Sequence, residues 1–211
     1  TISITGTFPN IYINNNAAIK LKIKKVLNLG TVGWTKLERA FKGCSNLTEF
    51  TAGSTNTSAV DSLNGTFQNC TSLASLNVSS FDTSLVTDMY ALLYGAALTS
   101  LDVSSFNTSN VTDMQYMFGA CSALTSIVGV EDWDITGLNS TGDLTNFLTN
   151  GRMTTAQYDA LLVKWEAQAS GIPAMTASFG TSILTLGGAA DTAKQSLINT
   201  YNWTVYDGVT P

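Results

Sequence analysis

Three cysteines, fifteen carboxylates and no histidine set the chemistry open to this chain of 211 residues. Cys44, Cys70 and Cys121 each stand three residues after a phenylalanine, Phe41, Phe67 and Phe118. No C-x2-C pair occurs and no imidazole is present, so a zinc site lacks its usual ligands. A bridge between Cys44 and Cys70, which belong to neighbouring repeats, is geometrically conceivable. A buried column of small apolar side chains, completed by Ala96, accounts for all four positions and is the stronger reading. Asp82 and Asp88, with Asn107 and Asp113 one repeat on, suggest a calcium ladder, but calcium takes about six to eight oxygens from several carboxylates. Turn and cap hydrogen bonds explain these residues better. Glu131, Asp132 and Asp134 could serve as acid and base, yet they flank Trp133 in an irregular stretch where a solvated loop suffices. Without histidine the usual general base and any His-containing triad are missing. The expectation is a non-enzyme with no catalytic residues, no cofactor and no metal.

Charge narrows the partners further. A net charge of −5 and a pI near 4.5 oppose a nucleic-acid partner, which needs a basic footprint. Lys20, Lys22, Lys24 and Lys25 lie together, and alternation along IKLKIKK predicts a half-exposed strand. Its Lys20, Lys22 and Lys24 face solvent, opposite Ile19, Leu21 and Ile23. No run approaches the ~18 apolar residues of a membrane span. The chain opens at Thr1 on a strand-like TISITGTF, as a processed protein or a piece of a longer one would.

These residues are positioned by a repeat. Shifting the chain by 25 residues lays Leu73, Leu76, Val78, Phe81, Val86, Met89 and Leu92 on Leu98, Leu101, Val103, Phe106, Val111, Met114 and Met117. The first half of each unit has a strand period at Leu101 and Val103. The second half repeats anchors at i, i+3, i+6 and i+7: Trp34, Leu37, Ala40, Phe41; Val60, Leu63, Thr66, Phe67; Val86, Met89, Leu92, Leu93; Val111, Met114, Met117, Phe118. That spacing predicts one face of a short helix or 3₁₀ turn, with Thr87-Asp88 and Thr112-Asp113 at its start. Relative to the other units, one residue is missing between Ala96 and Leu98. A unit this small cannot bury its apolar face alone, so stacking is required. The fold class is an α/β repeat of about four units over 34–150, with an N-terminal β segment (1–33) and a C-terminal α/β cap (151–211). Strands are expected around Ile2, Ile4 and Ile11–Ile13. In the cap, Thr154-x-x-Gln157 predicts a capping box. A helix over 155–168 follows, then a strand near Ser182–Leu186, a helix over Asp191–Tyr201 and a strand Trp203–Tyr206.

Ser80 to Met89, and more fully Ser105 to Leu124, read S-F-[DN]-T-S-x-V-T-D-M followed by M-F-x-x-C-S-x-L. This motif resembles the BspA-type leucine-rich repeat over about 34–148. The resemblance implies a leucine-rich-repeat solenoid displayed outside the cell, on a cell surface or virion. Its implied roles are adhesion and the binding of host proteins or cells.

The strand face pointing away from the core should carry Glu49, Thr51, Ser75, Asn77, Ser79, Ser100, Asp102 and Ser104, the usual binding face of such a stack. Tyr90, Tyr94 and Tyr116 are expected on the outer side of the helical segments as a candidate protein-contact patch. The expected partner is a host-surface protein or glycan. The alternative is a structural decoration or assembly protein whose faces contact neighbouring subunits. Ice binding through Thr83/Thr108 and Thr87/Thr112 is disfavoured, because these rows flank the turn instead of forming a flat face.

Overall fold

The computed structural model describes residues 17–140 and 143–208. The strands expected around Ile2, Ile4 and Ile11–Ile13 lie outside this range. The lysine-rich strand does not form as alternation predicts. Ala17–Lys20 is a single helical turn, α1, and only Lys25–Val26 extends, as β1. Ile19 and Leu21 are 49% and 48% exposed, so of the expected buried face only Ile23 packs against the core. A strand persists only where a neighbour completes its ladder; β1 pairs with its neighbour only at Lys25↔Glu49 and Val26↔Phe50.

Four further strands of three residues follow: β2 (Glu49–Thr51), β3 (Ser75–Asn77), β4 (Ser100–Asp102) and β5 (Ser126–Val128). All pair in parallel one unit apart, as in Glu49↔Ser75 and Ser100↔Ser126. Phe50, Leu101 and Ile127 point into the core while their neighbours point out, the period of two that a half-buried sheet demands.

The second half of each unit is not a helix. Its anchors are buried as the spacing requires, but they sit on a chain of turns. Backbone amides alternate in their use. Ala40, Lys42 and Cys44 donate to carbonyls three residues back, while Arg39, Phe41 and Gly43 donate to Asn64, Thr66 and Gln68 of the next unit at 2.7–2.9 Å. A helix would keep every amide within its own segment; here half of them bond unit to unit. The switch is made by residues with positive φ at two positions per unit: Arg39, Gly65, Ala91 and Tyr116, then Gly43, Asn69, Gly95 and Ala120. A left-handed third residue is what a type II turn needs, and it cannot belong to an α-helix.

The sheet breaks once. β1, β2 and β3 form one ladder and β4 and β5 another, with the interruption where the unit is a residue short. The turn side runs on without a gap: Met89, Ala91, Leu93 and Gly95 donate to Asp113, Gln115, Met117 and Gly119. The stack is therefore bonded on one side and parted on the other. An apolar seam of about 10 Å³, lined by Leu76, Val78, Leu101 and Val103 among others, lies at the parting.

The inner side chains stack in columns. Phe41 lies over Phe67 at 5.6 Å and 7°, and Phe106 over Trp133 at 6.2 Å and 9°. Each such buried side chain contributes ~1.5–3 kcal/mol. Cys44, Cys70 and Cys121 are free and buried, continuing with Ala96 as a column. The Cys70 thiol donates to the Phe41 carbonyl at 3.2 Å and Cys121 to Leu93 at 3.1 Å.

The C-terminal segment closes the stack. Helix α2 (Thr155–Glu166) begins with the expected capping box at Thr154 and Gln157, and buries Tyr158, Leu161, Leu162 and Trp165. Trp165 and Phe179 both meet Phe147 of the last unit. The strand expected near Ser182–Leu186 is instead β6 at Thr176–Ser178, because that segment, not 182–186, reaches the last unit's backbone. The Leu148 amide donates to the Ser178 carbonyl at 2.9 Å. Gly180, with φ +64, allows the close approach: a Cβ there would lie 2.1 Å from the Gly151 carbonyl oxygen. Helix α3 (Ala189–Asn199) and β7 (Thr204–Tyr206), which pairs with β6, complete the cap.

Candidate functional site

The strand face contains most of the predicted residues in register. Glu49 and Ser75 are paired positions, as are Thr51 and Asn77, while Ser100 and Asp102 sit on β4 beyond the parting. Ser75, Asn77, Ser100 and Asp102 are exposed; Glu49 and Thr51 are half-buried. Glu49 is held by Lys25 at 2.7 Å. Ser79 and Ser104 are not strand residues. Each donates its amide and its hydroxyl to the side chain two residues earlier, Asn77 or Asp102, which closes the turn after the strand. The same device recurs at Asn56-Ser58, Asp82-Ser84, Asn107-Ser109 and Asp134-Thr136. These hydrogen bonds hold the Asp82 and Asp102 carboxyls below the usual carboxylate range. The candidate calcium oxygens are therefore turn closures.

The Thr83/Thr108 row, extended by Thr57, lies just inside, with a role that the sequence did not reveal. Thr57, Thr83 and Thr108 are each 2% exposed. Their hydroxyls donate to the carbonyls of Asp82, Asn107 and Asp134 in the following unit. Thr57 and Thr83 also accept from the amides of Asp82 and Asn107 at 2.8 Å. These threonines are cross-links between units. The only signal for them was their recurrence one residue after an Asx position.

The opposite, turn-side face brings the three tyrosines together. Tyr90 and Tyr116 approach to 5.7 Å between ring centres, and Tyr94 and Tyr116 to 6.0 Å. All three are half-buried, and among the described residues none hydrogen-bonds to their hydroxyls. Beside them Asp88 and Asp113 pair as a bridge between units. Asp88 accepts from the Tyr90 amide at 2.8 Å and from Asn64 Nδ2 at 3.0 Å; Asp113 accepts from the Gln115 amide at 2.8 Å. Instead of starting a helix, these carboxylates each close a turn. Burial pushes the Asp113 carboxyl up, reinforced by the neighbouring charges of Asp88 and Asp143.

The family described as "Mycoplasma protein of unknown function, DUF285" matches residues 35–159, more than half of the chain. The chain belongs to this family. No curated protein and no solved structure matches it. The DUF285 match contains all eleven predicted binding residues and ends at Asp159 in α2.

The remaining acid candidates are separated by their structural tasks. Glu131 and Asp132 lie in a 3₁₀ turn, Val130–Asp132, where Asp132 is bridged by Lys164. Among the described residues no group of three or more His, Cys, Asp and Glu is placed to hold a metal. No helix of the described residues is long and apolar enough to cross a membrane. Outside the repeat body, an open groove of about 390 Å³ runs between α2 and the start of α3, lined by Ala160, Val163, Ala189 and Ala190 with Asp159 and Lys164.

Proposed function

We propose that this chain is a non-enzymatic recognition module displayed outside the cell, built as a BspA-type leucine-rich-repeat solenoid. It binds a protein or glycan of a host surface through its repeat body. The observation that carries this reading is the tyrosine strip: three aromatic rings from two adjacent units, Tyr116 in contact with both Tyr90 and Tyr94, with hydroxyls that no side chain of the described body engages. Tyrosines with an apolar body and an open polar tip are the side chains binding faces favour. The parallel ladder supports it with a rigid row of exposed polar side chains on the other face. The test is a screen of immobilised cell-surface glycans and proteins against the whole chain. Binding that is lost when Tyr90, Tyr94 and Tyr116 are changed together to serine supports the reading; binding that survives this change removes the strip from it.

A second reading, a subunit of a surface or virion lattice, is favoured by the uneven charge. Seven of the ten Lys and Arg fall within residues 20–42, whereas 43–150 contains none. Copies could meet basic end to acidic body. Light scattering decides between the two. A monomer at every concentration of a dilution series opposes the lattice, and concentration-dependent growth abolished by salt supports it.

A further inference from the structure

Tyr116 is the centre of the strip, touching both Tyr90 and Tyr94, and it has φ 57. At the equivalent left-handed position stand Arg39, Gly65, Ala91 and, in the last unit, Asn146. Glycine and asparagine adopt this conformation readily; a bulky aromatic residue is an outlier there. Strain of this kind persists where the surrounding fold over-determines it, and it clusters at binding sites. The strip borders the Asp88–Asp113 bridge, since Tyr90 follows Asp88 by two residues and caps onto it. Residues 43–150, which contain the strip, carry ten carboxylates over both faces and no lysine, arginine or histidine. The face combines ring π-clouds with carboxylates and no cation of its own segment.

We propose that the Tyr90–Tyr116–Tyr94 strip, with Asp88 and Asp113 at its edge, docks a cationic protein segment that presents arginine or lysine side chains. This rests on the recognition reading and names the partner's chemistry. A guanidinium or ammonium within about 6 Å of a ring centre is attracted by the ring quadrupole, and arginine stacks on the face as well. The carboxylates then fix the polar end of the same side chain. A cation arriving at Asp113 also relieves its repulsion with Asp88 and Asp143, a gain that a neutral or anionic ligand cannot supply. Charge complementarity selects this occupant over an acidic segment, which Asp88 and Asp113 and the carboxylate excess of residues 43–150 would repel.

The experiment uses the whole chain and fluorescein-labelled decapeptides of alternating Arg-Ser, Gln-Ser and Glu-Ser, with a panel of neutral glycans alongside. Tyr116→Asn places at the left-handed position the residue found there in the last unit, so it keeps the fold and the net charge. Asp88→Asn with Asp113→Asn removes two charges at the strip. Asp82→Asn with Asp102→Asn removes two on the strand side, where Asn107 and Asn77 are the neighbouring equivalents. Circular dichroism and thermal unfolding verify each variant. The Arg-Ser peptide should bind at least tenfold tighter than Gln-Ser. It should lose about tenfold or more in Tyr116→Asn, and more in the Asp88/Asp113 variant than in the Asp82/Asp102 variant. Arg-Ser binding no tighter than Gln-Ser, untouched by Tyr116→Asn, or weakened equally by both charge pairs overturns the proposal. A neutral glycan whose binding is lost in Tyr116→Asn keeps the recognition reading while overturning the cationic partner. If Tyr116→Asn alters the binding of no probe, both fail at this face.

Discussion

Thr83 carries both halves of an exchange: its hydroxyl accepts from the Asn107 amide and donates to the Asn107 carbonyl. Thr83→Val keeps the shape but leaves that part-buried amide without its partner, which costs about 1 kcal/mol. Thr87, one row out, is exposed and its hydroxyl bonds the Asp61 carbonyl at 3.3 Å, so Thr87→Ala, which keeps its backbone bonds, should stay within about 0.5 kcal/mol. Urea titration of the two variants separates a structural threonine row from a displayed one. Asp102 makes a second residue-level prediction. Its folded carboxyl is held down by the Ser104 hydroxyl and then the Ser104 amide. A depressed carboxylate stabilises the fold above its unfolded pKa, near 3.9, and that contribution is lost as pH falls through the folded value. Ser104→Ala should raise the Asp102 pKa in carboxyl-detected NMR titration, and it should leave stability at pH 3 closer to that at pH 7 than in the parent. Asp113 has the opposite sign. Its raised carboxyl costs stability at neutral pH and recovers it on protonation, so Asp113→Asn, which keeps the bond from Gln115, should not destabilise the chain at pH 7.

At the scale of elements, the columns were legible and their backbone was not. Positions i, i+3, i+6 and i+7 face one side on a helix, and the turn chain buries the same residues. Inside the anchored stretch only Gly65 hinted at a positive φ, while Gly43, Asn69 and Gly95, which also take one, recur two residues after the last anchor, where they would equally end a helix. The cap helix α2 was legible because its capping box and anchors agree. The displaced β6 was not, since its pairing depends on the last unit and on β7 instead of its own pattern. The short unit at Ala96–Leu98 was visible in the sequence, and its consequence is a parted sheet. Ala52 donates to Asn77 and Val103 to Val128, but the corresponding bond from Val78 to Asp102 is absent. Hydrogen exchange should therefore be at least about tenfold faster at the Val78 amide than at Ala52 or Val103. Inserting a serine between Ala96 and Ala97 should slow it toward theirs. Equal protection in the parent would mean that the ladder closes in solution.

Across the whole molecule, charge is segregated along the direction of stacking. Lys25–Glu49 and Lys36–Asp61 tie the first units together, each pair reaching from one unit to the next. Beyond these pairs residues 43–150 have eight more carboxylates, and the one described ion pair that a later cation makes to them is Lys164–Asp132. Surface pairs of this kind contribute about 0–1 kcal/mol each, whereas like charges on successive units repel over every step of the stack. At low ionic strength repulsion reaches across units, because the screening length is about 30 Å at 0.01 M and about 10 Å at 0.1 M. Raising sodium chloride from about 10 to 100 mM should thus stabilise the chain, by on the order of 1 kcal/mol, or a rise of about 2–4 °C in Tm. Potassium chloride should act alike, because screening does not depend on which monovalent cation supplies it. The Asp88→Asn/Asp113→Asn variant should gain less from salt than the parent, having less repulsion to screen. A Tm that falls with salt would mean instead that the lysine bridges at the N-terminal end, and not the acidic body, set the electrostatic balance of the fold.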